Sequence, residues 1–150
     1  MSRYISMALS LIPSLLLYGD SVLYVDYCPY DIHHSFEYSD IADRIIRWEG
    51  VFDIDEDNYF IYLYSPYCGH CQEIKKQVLL YAFCGEVDMY FIEISEEVTF
   101  GSDIELTIGA TSTEQLWILG YPSLLEIKNA NLIANIAGAK GIKEKLRLGE

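Results

Sequence analysis

Two cysteines that stand three positions apart, Cys68 and Cys71, are the residues of this chain whose types and spacing most directly indicate chemistry. Gly69 and His70 lie between them and complete a CGHC motif. A close pair of thiols exchanges disulfides with other molecules, because one thiolate attacks a disulfide and the second thiol resolves the mixed disulfide that forms. We predict no cofactor and no metal for such a site.

The predicted elements on either side of the motif favour this chemistry. Residues 59–64 (YFIYLY) form an almost continuous apolar run, which is typical of a buried central strand. Residues 72–83 predict a helix with one apolar face. Cys68 therefore lies where a helix begins, and the unpaired N–H groups and dipole there stabilise a thiolate. We expect Cys68 to be the nucleophile.

His70 and Cys71 have different predicted roles. His70 adds positive charge or a hydrogen bond to the thiolate, which stabilises the reduced form and makes the oxidised pair a better oxidant. Cys71 lies one helical turn further on, where we expect it to be less exposed. It then acts as the resolving thiol.

Two alternatives compete for this cysteine pair. A zinc site needs a second pair of ligands, for which Cys28, His33 and His34 are the candidates, but they form no second close pair. A structural disulfide between Cys68 and Cys71 is disfavoured because two intervening residues make a strained, reducible bond.

Two segments together resemble a known family. Residues 64–71 (YSPYCGHC) look like the active-site signature of protein disulfide isomerase domains in the thioredoxin superfamily, with Tyr67 where that family usually has Trp. Residues 120–123 (GYPS) resemble its second signature, whose proline is cis and lies beside the dithiol. The similarity spans roughly residues 36–148. It implies an α/β thioredoxin fold, with a central mixed sheet flanked by helices and a variable N-terminal extension.

The resemblance also implies a function and a binding site. The function is thiol–disulfide exchange with protein substrates, with a redox partner protein or glutathione as the second reactant. Tyr121 and Pro122 are expected to bind the backbone of an extended substrate peptide, through the N–H and C=O of Tyr121. Tyr64, Tyr67 and Tyr121 are expected to line an apolar groove for that peptide.

This chain departs from the family around the second cysteine. The family commonly carries a buried Asp or Glu six residues before the first cysteine, and this chain has Tyr62 there. It also has Lys76 at the family's helix-kinking proline, and Ala139 followed by Lys140 at an arginine position. Proton transfer at the second cysteine must then use water, His70 or Glu73. Efficient isomerase activity is weakened by these changes more than thiol–disulfide exchange is.

Two other functions compete with this one. The first is a thioredoxin-like reductant in a reducing compartment, which the signal-like N-terminus and His70 disfavour. The second is a redox-inactive module that uses the fold as a peptide-binding platform, which the intact cysteine pair disfavours.

Composition limits the fold and the partners. The chain has 150 residues, of which 51% are hydrophobic, enough for one folded domain, expected at residues 21–150. Its 10 Lys+Arg and 23 Asp+Glu give a formal charge of −13, which disfavours nucleic acid as a partner.

The first 20 residues predict a targeting segment. Arg3 precedes an apolar stretch from Tyr4 to Leu17, as in a secretory signal peptide. A membrane anchor and a terminal helix packed on the domain are the alternatives, although the stretch is shorter than the roughly 20 residues of a spanning helix. We therefore expect a location outside the cytoplasm, in the periplasm, the ER lumen or the secreted fraction, with membrane attachment through the N-terminus as a variant.

The remaining elements are predicted from local patterns. They are a strand at 21–27, a helix from Ser39 to Gly50, a strand at 87–95, an irregular insertion at 96–113, a hairpin of strands 123–127 and 132–136, and a helix at 140–148. Cys84 is expected to be a buried apolar thiol, with Cys28 free or paired between chains. A second disulfide between Cys28 and Cys84 is the alternative for an oxidising compartment.

Overall fold

The computed structural model describes residues 28, 30 and 35–147. The expected targeting segment, the strand expected at 21–27, and His33 and His34 lie outside these residues. Within them, no helix has the length and apolar character needed to span a membrane.

A four-stranded mixed sheet forms the centre of the described chain, in the order β2-β1-β3-β4. The strands are β1 (Asn58–Tyr64), β2 (Asp88–Glu93), β3 (Ser123–Lys128) and β4 (Asn131–Ala137). β1 runs parallel to β2 and antiparallel to β3, and β3 and β4 form an antiparallel hairpin. Helix α1 (Gly69–Cys84) connects β1 to β2, and helix α2 (Ala139–Leu146) follows β4. This arrangement confirms the expected α/β thioredoxin fold.

β1 is central because both of its faces are covered. Its residues Tyr59–Tyr64 are all buried, and they alternate between two apolar clusters. Phe60, Tyr62 and Tyr64 face the cluster that contains the buried sides of α1 and α2. Burial on both faces explains the continuous apolar run seen in the sequence.

The opposite face of the sheet is covered by short turns and by the insertion. Two 3₁₀ turns, Ile104–Thr107 and Thr113–Gln115, occupy or adjoin the expected irregular segment. The Asn135 amide of β4 donates to the Thr107 hydroxyl and to the Trp117 carbonyl, both at 2.9 Å. These bonds attach the insertion to the hairpin.

The helix expected from Ser39 to Gly50 is wrong. Two 3₁₀ turns, Tyr38–Arg44 and Trp48–Phe52, replace it. Between them Ile45 forms a parallel bridge with Phe91 of β2, and the Ile46 N–H donates to the Phe91 carbonyl at 2.8 Å. A segment whose backbone pairs with a sheet edge cannot also continue a helix.

The expected elements after residue 120 are confirmed. The hairpin turns at Asn129 and Ala130, which have φ of 49° and 55°, as the tightest hairpin turns require. Gly138, with φ of 84°, then redirects the chain from β4 into α2.

Cys28 and Cys84 form a disulfide with a Cα–Cα distance of 5.0 Å. The expectation of a buried free thiol at Cys84 is therefore wrong. Cys84 is the last residue of α1 and is half-buried, which leaves its sulfur accessible to Cys28 from the N-terminal segment. Cys28 is then unavailable to the alternative zinc site.

Candidate active site

Cys68 is positioned by the junction between β1 and α1. β1 ends at Tyr64, and the Cys68 N–H donates to the Ser65 carbonyl at 3.1 Å in the turn that follows. Cys68 is the N-cap of α1, and its Sγ accepts the Cys71 N–H at 3.3 Å. This thiol is free and half-buried. Cys68 thus supplies a partner for one of the unpaired N–H groups at the helix start.

Cys71 is in a different environment although it is only one turn away. Its side chain is buried in the apolar cluster beneath α1, and its thiol is free. Burial, followed by the hydrogen bond with Cys68, raises the pKa of Cys71 to about 12. The structure thus places a partly exposed thiol first and a protonated, buried thiol second, an order that suits a nucleophile and a resolving residue.

The loop before β3 brings Tyr121 to the dithiol. The Tyr121–Pro122 peptide bond is cis, and the Cys68 thiol lies 3.5 Å from the Tyr121 carbonyl oxygen, to which it donates. The loop is fixed on both sides, because the Ser123 hydroxyl donates to the Gly120 carbonyl at 2.6 Å and the Gly138 N–H donates to the Pro122 carbonyl at 2.8 Å. Tyr121 and Pro122 therefore lie beside Cys68.

The three tyrosines expected to line a groove differ in how exposed their side chains are. Tyr67 is 92% exposed and lies directly before Cys68, and Tyr121 is half-buried beside it. Tyr64 is wholly buried, and its hydroxyl donates to a Glu93 carboxylate oxygen at 3.2 Å. The expectation that Tyr64 lines a surface groove is wrong, because its alternation in β1 points it into the core.

His70 lies on the exposed side of α1. Its side chain is 78% exposed, and its Nδ1 lies 3.6 Å from a Glu73 carboxylate oxygen. Lys143 of α2 donates to the other oxygen of Glu73 at 2.9 Å. The hydrogen bond from Lys143 is the main cause that lowers the pKa of Glu73. Such a carboxylate is a weak base, so Glu73 is poorly suited to accept the Cys71 proton.

Phe100 lies near the dithiol although its sequence context did not predict a role there. Its ring packs edge-on against the ring of Tyr121, with centroids 5.6 Å apart, and it is 54% exposed. It belongs to the insertion, where the available signal was an aromatic residue directly before Gly101 in a polar segment. Phe100 thus extends the aromatic surface beside Cys68.

The described residues contain no group of three or more His, Cys, Asp and Glu side chains arranged to hold a metal ion.

Comparisons with known proteins concern the fold. No family model matches the chain, and no curated protein matches it significantly. Solved structures similar to it include thioredoxin f2 of Chlamydomonas reinhardtii, with 18% identity and a TM-score of 0.49 over 69% of this chain and 90% of that chain. The short form of thioredoxin f from spinach chloroplast has 12% identity and a TM-score of 0.46 over 69% and 88%.

A third similar structure is the first thioredoxin domain of mouse protein disulfide-isomerase A4, with 17% identity and a TM-score of 0.40 over 69% of this chain and 71% of that chain. At these identities and scores the roles of individual residues are not transferable. Any assignment of function depends on the geometry of this chain.

Proposed function

We propose that this protein is a thiol–disulfide oxidoreductase that acts on protein substrates through Cys68 and Cys71. One observation carries the proposal: a free, half-buried Cys68 caps α1 and accepts the N–H of a buried, free Cys71. The first sulfur is partly exposed and accepts an N–H group of the helix start, while the second is buried and protected from outside reactants. That asymmetry is what two successive sulfur attacks require.

The reaction proceeds in two balanced steps. The Cys68 thiolate attacks a substrate disulfide, forms a mixed disulfide and releases one substrate thiolate, which takes a proton from water. Cys71 then loses its proton and attacks the Cys68 sulfur, which forms the Cys68–Cys71 disulfide and releases the second substrate thiolate. Two electrons pass to the substrate. A redox partner protein or glutathione restores the dithiol, and the reverse sequence oxidises a substrate dithiol.

Substrate peptides bind beside Cys68 on the loop that carries Tyr121 and Pro122. The Tyr121 carbonyl oxygen lies 3.5 Å from the Cys68 sulfur, and this position supports the proposal. A substrate backbone that forms hydrogen bonds with Tyr121 would run directly past the Cys68 sulfur. Tyr67 and Phe100 are exposed aromatic side chains in the adjoining segments and supply apolar contacts to such a peptide.

The resemblance to isomerase domains supports an oxidising role outside the cytoplasm. The Cys28–Cys84 disulfide is consistent with an oxidising compartment, where such bonds persist. The signal-like first 20 residues support the same location.

A trapping experiment tests the proposal. Cys71→Ser keeps the nucleophile and removes the resolving thiol, so the variant is expected to accumulate mixed disulfides with a reduced-and-reoxidised protein substrate such as scrambled ribonuclease. The adducts are detected by non-reducing electrophoresis and mass spectrometry. Cys68→Ser is the matched control and is expected to form none. Equal trapping by both variants would contradict the assignment of Cys68, and no trapping by Cys71→Ser would favour a redox-inactive binding module.

A further inference from the structure

Among the described residues, the Tyr121 hydroxyl is one of three buried tyrosine hydroxyls that lack a hydrogen-bond partner, and the other two lie close to each other near the dithiol. These two belong to Tyr62 in the middle of β1 and to Tyr38 at the start of the first 3₁₀ turn. The two hydroxyls are near enough to interact as a weak, poorly aligned pair, but neither has a well-formed hydrogen bond. A buried hydroxyl without a partner is costly, so the presence of two side by side requires a reason.

These hydroxyls lie in the cluster that buries Cys71. Tyr62 and Cys71 are both fully buried members of the apolar cluster between the sheet and α1, and Tyr38 packs against the same cluster. The Tyr38 ring stacks on Tyr64 with centroids 3.9 Å apart, and the Tyr62 ring lies parallel to Tyr64 at 6.1 Å. The three rings therefore stack together in the cluster that also contains Cys71.

The electrostatic coupling has a clear direction. Burial raises the pKa of Tyr62 and of Tyr38, and negative charge on Cys71 raises both further. Both hydroxyls therefore stay protonated at neutral pH. A protonated hydroxyl near a buried thiolate acts as a hydrogen-bond donor to it rather than as a base.

The groups that interact electrostatically with Cys71 come from several elements. Cys68 comes from the N-cap of the same helix and the backbone of Ser65 from the turn before it, Tyr62 comes from β1, Tyr38 from the first 3₁₀ turn and Tyr121 from the loop before β3. The charged groups nearby pair among themselves: Lys75 lies over the Tyr38 ring and pairs with Glu37, and Glu73 pairs with Lys143 and His70.

We propose that the Tyr62 hydroxyl, which has no partner in the resting dithiol, donates a hydrogen bond to the Cys71 thiolate during resolution, with the Tyr38 hydroxyl beside it. The proposal rests on the proposed function. When Cys68 is held in a mixed disulfide, Cys71 loses its proton to water at the partly exposed Cys68 side. The resulting thiolate, stabilised by Tyr62, attacks the Cys68 sulfur and expels the substrate thiolate.

The reagent dithiobisnitrobenzoate separates the two steps. Attack by Cys68 releases one thionitrobenzoate at a rate that depends on reagent concentration, and attack by Cys71 releases the second at a rate that does not. In Tyr62→Phe the first phase is expected to be unchanged. The second is expected to slow roughly ten- to a hundredfold, since hydrogen bonds to charged groups have that strength. Its pH midpoint is expected to move up by about one unit or more.

Tyr64→Phe is the matched control. Tyr64 is a buried tyrosine of the same strand and cluster, but its hydroxyl is already bonded to Glu93. Loss of the Tyr64 hydroxyl is expected to leave the rate and the pH midpoint of the second phase unchanged. An equal slowing in Tyr64→Phe would overturn the proposal, because it would indicate a general packing effect.

Stability provides a readout that a structural role would not produce. Because the Tyr62 hydroxyl is unpartnered in the reduced protein, Tyr62→Phe is expected to shift its urea midpoint upward while slowing resolution. A variant that is less stable than the wild type, or one that is folded and resolves at the wild-type rate, would overturn the proposal. If the wild type releases no thionitrobenzoate in the first phase, the proposed function itself fails, which is a separate outcome.

Discussion

The two ends of α1 carry two cysteine pairs with opposite properties. At its N-terminus, Cys68 and Cys71 are three residues apart and both are free. At its C-terminus, Cys84 is bonded to Cys28, which is 56 residues away in the sequence. One end of α1 thus carries a cysteine pair that can exchange disulfides, and the other end carries a cysteine whose disulfide holds two segments of the chain together.

The difference follows from the direction of the helix. Its N-terminus offers unpaired N–H groups and positive potential, which stabilise a thiolate, whereas its C-terminus offers carbonyls and negative potential, which do not. The length of the loop that each disulfide closes also favours a structural role for the Cys28–Cys84 pair. A disulfide that closes a long loop removes much freedom from the unfolded chain, and one that closes two residues removes little.

The largest expected effect separates the two ends by activity. Cys68→Ser is expected to abolish reduction of insulin disulfides, a loss of at least about a thousandfold, because it removes the nucleophile. The double variant Cys28→Ser/Cys84→Ser is expected to retain most of the wild-type rate under conditions where it is folded. Turbidity of precipitating insulin measures both. Activity that survived Cys68→Ser, or was lost with Cys84, would reverse the assignment of the two ends.

For stability, we expect the cysteine pair at the C-terminal end of α1 to matter more than the pair at the N-terminal end. Cys28→Ser/Cys84→Ser is expected to lower the free energy of unfolding by roughly 2–4 kcal/mol, because the bond constrains a long loop. Cys68→Ser/Cys71→Ser is expected to cost less. Urea unfolding under identical conditions compares them, and a larger loss in the second variant would indicate that the N-terminal pair is structural.

The pH dependence of stability sharpens the contrast. Since burial raises the pKa of Cys71 from 9.0 to about 12, its protonated form contributes stability that is fully present below pH 9 and is lost as the pH rises toward 12. The disulfide form has no such thiol. The reduced protein is therefore expected to lose stability more steeply than the oxidised protein between these values, as measured by urea midpoints. Parallel curves would contradict a buried, protonated Cys71.

The smallest expected effect concerns His70. Because its imidazole is largely exposed and lies near Glu73, replacing it with alanine is expected to make the Cys68–Cys71 potential more reducing by only on the order of 10–20 mV. Glutathione equilibria of the wild type and His70→Ala measure the shift. A change several times larger would place the imidazole in direct contact with the thiolate in solution.

The elements that hold the dithiol could be predicted because their signals are local. The apolar run of β1, the cysteine at its junction with α1, and the turn residues before β4 each specify their own structure. The segment around Ile45 could not be predicted, since its apolar spacing is helical and its pairing with Phe91 depends on a distant strand.

The site was predictable in its reactive residues and less so in its surroundings. Spacing identified Cys68 and Cys71, but it gave no account of which tyrosines are exposed. Tyr64 and Tyr67 are three residues apart, yet one is in the core and the other is almost fully exposed, because β1 ends between them. The unpartnered hydroxyl of Tyr62 depends on packing across several elements, which sequence patterns do not contain.

The equilibrium of the Cys68–Cys71 pair in a series of glutathione buffers tests the central claim most directly. Alkylation of the free thiols measures the reduced fraction, and we expect a reversible two-electron transition with a midpoint more oxidising than about −270 mV. A midpoint as reducing as that value would contradict the oxidising role. A pair that does not cycle at all would contradict thiol–disulfide exchange itself.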